Sequence, residues 1–276
     1  MRFGIHLPQY GRVASAAAVS EAAQHAEALG FADVWVSDHV VHPAAQTYPS
    51  PYLVDPFVTL TWAAASTSTI GLGTSVTVAP QYHPLWLANT TASIDAMSGG
   101  RLKLGVGVGW SEAEFTALGQ DFHTRGRRTD EILDILRACW TEDPASHHGP
   151  YYEFDGIRVL PQPAHPIEIW IGGSGRAAHA RARAHGSGFQ FVGLKPDTIG
   201  AAVAAVREVC PDTAAFTISL RTGWDPQGMP PGAIADELSA FEAAGVQHVV
   251  SAPWRTDLPA WLRSMEMLAG IVGLPG

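Results

Sequence analysis

The sequence predicts an α/β chain folded as a (β/α)8 barrel, and three observations carry that prediction. Short runs rich in β-branched and aromatic residues alternate with Ala-rich stretches of helical length along the whole chain. Eight strand–helix units fit into 276 residues, the size of one barrel. No linker or low-complexity tract divides them, so residues 1–276 read as a single domain. The rival architecture, an open doubly wound sheet, has fewer strands and a Gly-rich first turn. Here the first turn is His6-Leu7-Pro8-Gln9-Tyr10-Gly11, without that fingerprint.

The units follow in order. A first strand over Arg2–Leu7 leads to a helix at about Ala16–Leu29, stopped by Gly30. A second strand, Asp33–Ser37, runs into a loop with Pro43, Pro49 and Pro51. The next helix is opened by Asp55-Pro56, an N-cap with Pro at the first helical position. The third strand is Ile70–Val76, with a helix over Leu85–Met97 ended by Gly99 and Gly100; the fourth is Leu102–Val108. Helical stretches at Ser111–Leu118, with the capping-box pattern Ser111-Glu-Ala-Glu114, and at Arg127–Trp140 come next. Composition then shifts to Pro, Gly, His and aromatics. About residues 141–166 read as an insertion between the fourth and fifth strands: a hairpin of Tyr151–Phe154 and Ile157–Leu160 turning at Asp155-Gly156. The rhythm resumes with strands Ile167–Ile171, Phe189–Val192, Phe216–Leu220 and His248–Ser251. Their helices lie at Arg176–His185, Pro196–Val209, Ile234–Ala244 and Leu258–Leu268.

Composition narrows the function classes. Hydrophobic residues make up 46% and charged residues 16%, enough apolar material for a core and too little charge for a disordered chain. The net charge of −9 argues against the broad basic surface of nucleic-acid binders. Two cysteines, Cys139 and Cys210, cannot make a disulfide framework or a four-thiolate site. The N-terminus lacks the apolar run of a secretion signal, and no stretch approaches a membrane span, so a cytoplasmic protein without a membrane partner is expected.

Barrel enzymes carry their chemistry at the C-terminal ends of the strands. Those positions hold His6, Asp38-His39, Ser75-Val76-Thr77, Gly107-Val108-Gly109-Trp110, Gly172-Gly173-Ser174-Gly175, Arg221 with Trp224, and Trp254. Gly172–Gly175 follows a strand and opens a helix. Its glycines and free helix N–H groups suit phosphate, the bland alternative is a tight turn, and the adjoining Arg176 favours phosphate. Gly105-x-Gly107-x-Gly109 clears one strand face, either for a flat ligand or, more simply, for close packing. Asp38-His39 reads as a proton relay or as a satisfied structural pair. The histidines lack metal-ligand spacing, with His6-Leu7-Pro8 where metal-dependent barrel hydrolases have His-x-His, so no metal is expected. No Gly-x-Ser-x-Gly elbow is present. Arg125-Gly-Arg127-Arg128 reads best as a solvated helix start paired with Asp130 and Glu131.

Taken in order, these pieces resemble the luciferase-like monooxygenase superfamily, in particular its branch that uses the deazaflavin coenzyme F420. The matching segments include Phe3-Gly-Ile-His6, Val34-Trp-Val-Ser-Asp-His39, Ile70-Gly-Leu-Gly-Thr-Ser-Val76, Leu104-Gly-Val-Gly-Val-Gly-Trp110 and Ile169-Trp-Ile-Gly-Gly173. The resemblance runs to about residue 195. It implies a bacterial-luciferase-like barrel, commonly homodimeric, that moves a hydride between F420 and a small organic substrate. An FMN-dependent monooxygenase is the alternative, and a non-catalytic flavin-binding barrel the second. By the same resemblance Asp38 and His39 face the tricyclic ring, and Ser75–Val76 is a non-proline cis peptide forming a supporting bulge. Gly107, Gly109 and Trp110 lie along the ring, and Gly172, Gly173, Ser174 and Gly175 receive the phosphate, which agrees with the separate anion reading of that loop and Arg176. One departure stands out. The sugar-phosphate dehydrogenases of the branch place a proton-donating Glu after the second glycine of the strand-four motif, where this chain has Trp110. Two acids, Glu112 and Glu114, sit two and four residues further on a predicted helix, and the proton source is left to His39, His6 or a solvent-fed acid. Aromatic loop residues (Tyr48, Tyr52, Tyr82, Trp110, Tyr151, Tyr152, Trp224, Trp254) are candidate pocket walls for a largely apolar substrate, and Trp86, Trp140 and the hairpin are candidate dimer contacts.

Overall fold

The computed structural model describes residues 1–46, 50–210 and 216–275; Tyr48 lies outside them. Among these residues, β1 (Arg2–His6), β2 (Asp33–Val36), β3 (Gly71–Thr74), β5 (Leu102–Gly107), β8 (Glu168–Gly172), β9 (Gly188–Val192), β10 (Thr217–Thr222) and β11 (His248–Ser251) form one parallel sheet. It closes on itself because β1 pairs with both β2 and β11, while β3 pairs with β5. The third predicted strand is interrupted. The peptide between Ser75 and Val76 is cis, and the chain re-enters the sheet as β4 (Thr77–Val78) alongside β5.

The outer helices are α1 (Ala16–Ala28), α2 (Pro56–Ser66), α3 (Pro84–Ser98), α4 (Glu112–Ala117), α5 (Arg125–Thr141), α6 (Gly175–His185), α7 (Pro196–Arg207), α8 (Pro231–Ala243) and α9 (Leu258–Val272). Capping residues set several starts. Asp55 accepts from the Val58 amide ahead of α2, Ser15 from Ala18 ahead of α1, and Asp257 from Ala260 ahead of α9.

The inserted hairpin pairs other residues than predicted. β6 (Ala145–His148) runs antiparallel to β7 (Glu153–Ile157), and the turn is at 149–152 rather than at Asp155-Gly156. The buried Glu131 of α5 determines this. Its carboxylate takes the Tyr152 amide at 2.8 Å and the Tyr151 amide at 3.2 Å, and pairs with His147 at 3.1 Å, pinning the turn from outside the hairpin. Gly156, at φ +59°, lies within β7 and donates its amide to the Ser146 hydroxyl across a register shift.

The barrel interior is filled at its base by two fully buried tryptophans, Trp35 and Trp170, with ring centroids 5.0 Å apart. Gly73 on the neighbouring strand makes room: a Cβ there would collide with the Trp35 ring. Beside them lies a buried polar cluster. His248 donates to Asp33 at 2.8 Å and accepts from Ser219 at 2.9 Å, while Lys103 reaches Asp33 at 3.3 Å. Burial alone would raise the Asp33 carboxyl, but His248 and Lys103 outweigh it and hold the group well below the carboxylate range.

Candidate functional site

The C-terminal ends of the strands open on a cavity of about 1330 Å³. Asp38, His39, Ser75, Val76, Gly107, Gly109, Trp110, Gly172, Gly173 and Ser174 all line it. The tertiary structure thus brings together ten of the predicted site positions, drawn from the ends of β2, β3, β5 and β8.

The glycines serve the bulge. The Val76 side chain nests between two strands: a Cβ on Gly107 would come within 2.5 Å of Val76 Cγ2, and one on Gly172 within 2.7 Å of Val76 Cγ1. A Cβ on Gly105 would collide with the Thr74 carbonyl. Of the two readings of the Gly105-x-Gly107-x-Gly109 pattern, close packing is therefore what occurs around the bulge. The shaped surface lining the cavity is Val76 itself.

Asp38 is buried beneath this surface. One carboxylate oxygen takes the Val78 amide at 2.8 Å and the other the Tyr82 hydroxyl at 2.9 Å, tying β2 to the segment after the bulge. Burial pushes its carboxyl up to about 7 against these two hydrogen bonds. His39, the next residue, pairs through Nδ1 with Glu114 Oε2 at 3.1 Å. Its ring meets Trp110 edge-on with centroids 5.6 Å apart.

His6 does not line the cavity. It is fully buried, with Nδ1 donating to the Leu7 carbonyl and Nε2 accepting from the Ser37 hydroxyl, both at 2.9 Å. Burial, then the neighbouring Arg221, drive its basicity well below that of a free imidazole, so the ring stays neutral. Arg221 was legible only as a strand-end residue. It spans the barrel floor, donating to Ser37 Oγ at 2.8 Å and to the Ser75 carbonyl at 2.6 Å, with its guanidinium 5.3 Å from the Trp254 ring centroid. His6, Ser37 and Arg221 thus support the bulge from below. Trp254, at φ +51°, packs on Tyr10 and lines the cavity with it.

The anion end of the cavity draws on more of the chain than the Gly172–Gly175 loop. Gly175 and Arg176 are exposed and do not line the cavity. Arg125, Arg127 and the buried Arg181 do, although the sequence pattern favoured a solvated role for the first two. The reason is tertiary. Arg181, in the second half of α6, donates to Asp130 Oδ1 at 2.6 Å and to the Gly126 carbonyl at 3.1 Å, locking α6 onto the first turns of α5. Neither helix has a side-chain cap, and Gly126, Arg127, Ala177 and Ala178 from their first turns line the same cavity. Two uncapped helix starts and basic side chains therefore meet at one end of the cavity.

Other aromatic candidates lie elsewhere. Trp224 is core and donates to Glu237; Tyr82 binds Asp38; Tyr52, Tyr151 and Tyr152 are outside the cavity lining. Trp140 is also buried, donating to the Ala88 carbonyl between α5 and α3, and is no surface contact. Among the described residues no group of His, Cys, Asp or Glu is arranged to hold a metal ion, and no helix is long and apolar enough to cross a membrane.

Comparison with known proteins gives a consistent family. The profile of the luciferase-like monooxygenases matches residues 1–222. An uncharacterized protein of Mycobacterium tuberculosis is 28% identical over 272 residues, 90% of this chain and 91% of its own length. An F420-dependent glucose-6-phosphate dehydrogenase of Amycolatopsis mediterranei is 31% identical over 176 residues, 61% of this chain and about half of that relative (51%). Among solved structures, a monooxygenase from Streptomyces bottropensis superposes with a TM-score of 0.83 at 21% identity, covering 99% of this chain and 98% of the other.

Proposed function

The chain belongs to the luciferase-like monooxygenase family, and on that premise we propose that it is an F420-dependent oxidoreductase moving a hydride to or from a small organic molecule. The observation that carries this reading is the composition of one cavity: a bulge packed for a flat ring, and two uncapped helix starts with Arg125 and Arg127 for an anion. The F420-dependent relative supports the choice of cofactor.

The residues present fit the group. Val76 and Gly107 would offer the ring a surface, while Gly173, Ser174 and the α5 and α6 starts would hold the phosphate. When bound, the deazaflavin supplies hydride transfer; the protein supplies orientation, exclusion of water and a proton. The candidate proton sources differ in their surroundings. His6 is sealed and neutral. Glu112 is largely exposed and lies near His123. His39 lines the cavity and is the group that gives or takes the proton as the hydride moves. Trp110, in the place of the acid of the sugar-phosphate dehydrogenases, walls the substrate beside it together with Trp254, which suits an apolar substrate rather than a sugar phosphate.

The working unit in this reading is a homodimer joined through α2 and α3. These adjacent helices carry one charged residue between them, Asp95, which is buried, yet expose Val58, Trp62, Trp86 and Met97. In a two-fold interface like faces like. A charge-free patch on a chain of net charge −9 is where two copies meet with least repulsion.

Titrating the purified protein separately with F420 and FMN tests the cofactor, since their visible bands differ. Binding of F420, with hydride transfer to a panel of carbonyl, imine and unsaturated substrates, is the expected result. Binding of FMN alone overturns it in favour of the monooxygenase alternative.

A further inference from the structure

Resting on the reading of His39 as the proton-handling group, we infer that Glu114 is its positioning residue: it fixes the ring in the Nδ1–H tautomer, so that Nε2 is the working atom in the cavity. The geometry carries this. Glu114 is 2% exposed, and its two oxygens have divided tasks. Oε1 takes the Val40 amide at 2.7 Å and Oε2 faces His39 Nδ1 at 3.1 Å. A carboxylate tied down on one oxygen and shut away from water cannot rotate to release the imidazole.

Its own place is set from the other side. Ser111 caps α4 by accepting the Glu114 amide at 3.4 Å, and the fully buried Phe115 anchors the same turn. Burial alone would raise the Glu114 carboxyl, but the hydrogen bonds from His39 and the Val40 amide hold it below its usual range. The group facing Nδ1 is therefore an acceptor and requires a proton on that nitrogen. Nε2 has no hydrogen-bond partner among the described residues, and His39 lines the cavity. Trp110 and His42, with ring centroids at 5.6 and 5.2 Å, limit the ring's other freedom.

The consequence for the reaction is specific. When a carbonyl is reduced, the doubly protonated ring loses its Nε2 proton to the substrate oxygen and is left neutral with the Nδ1 proton in place. Glu114 remains a carboxylate throughout, and solvent returns the proton to Nε2. In the oxidation direction the neutral ring accepts the proton at Nε2. A ring in the opposite tautomer presents the wrong nitrogen to Glu114 and a hydrogen to a substrate that must give one up.

The test needs neither cofactor nor substrate. Protein labelled with 15N-histidine is examined by NMR, with the His39 ring signals identified by their loss in His39→Gln. The expected wild-type spectrum shows neutral His39 protonated on Nδ1, with a preference of roughly tenfold or more, as a charge-assisted hydrogen bond supplies. Glu114→Ala removes that preference. Glu114→Gln, which keeps the volume and can donate as well as accept, gives a mixture of tautomers. A wild-type ring protonated on Nε2 overturns the inference, as does a tautomer ratio unchanged in both variants. Because the histidine spectrum is recorded on the protein alone, a failure to bind F420 counts against the cofactor reading and not against this one.

Discussion

Replacing Asp38 with Asn isolates the electrostatic cost of the carboxyl beneath the cavity. Burial raises this group from the ordinary 3.8 to about 7. At about 1.4 kcal/mol per pH unit, ionising it in the fold rather than in the unfolded chain costs about 4 kcal/mol. The sign follows from proton counting. Between these two values the folded state binds more protons than the unfolded one, so stability falls as pH rises from about 4 to about 7 and levels off above. The side-chain amide introduced by Asp38→Asn offers an oxygen to the Val78 amide and an NH₂ to the Tyr82 oxygen, so both links between β2 and the post-bulge segment survive without a charge. Urea unfolding of both proteins at intervals from pH 4.5 to 8.5 is the assay. The variant is expected to gain on the wild type with rising pH, by a few kcal/mol in total. A constant difference across that range refutes the reasoning, because it means the wild-type carboxyl ionises as freely inside as outside.

Three further outcomes follow from the same geometry. Gly107→Ala puts a methyl against Val76, so it is expected to lose about 1–3 kcal/mol of stability in urea unfolding and to weaken cofactor binding in a fluorescence titration. Arg125→Ala is expected to weaken F420 binding by about tenfold or more, the worth of a charge-assisted hydrogen bond, whereas Arg176→Ala, outside the cavity, leaves the dissociation constant nearly unchanged; equal losses in both contradict the placement of the anion site. Trp86→Glu combined with Met97→Glu places charges on the neutral α2–α3 face and is expected to convert dimer to monomer in size-exclusion chromatography with light scattering, with the thermal midpoint of the monomeric fold as the control.

Local patterning determined the barrel and most of the site inventory. Strand alternation and Ala-rich helices are properties of neighbouring residues, and an eightfold count of them leaves little choice of closure. Because barrel strands are parallel, their C-terminal ends gather on one face. Asp38, His39, Ser75, Gly107 and Gly172 were therefore already convergent in the sequence. Three matters were decided only in the folded chain, each through a partner far away along it. The hairpin turns at 149–152 because Glu131 holds its amides, where the local Asp155-Gly156 signal pointed elsewhere. Arg125 and Arg127 belong to the cavity because Arg181, more than fifty residues on, docks α6 against the start of α5. His39 and His6, alike as strand-end histidines, part company because Glu114 reaches the first while Ser37 and Arg221 enclose the second. A hydrogen bond across such a separation leaves no periodicity to read. The sequence could propose which residues meet, but only the packing of the barrel selects which atoms of them are left free to act.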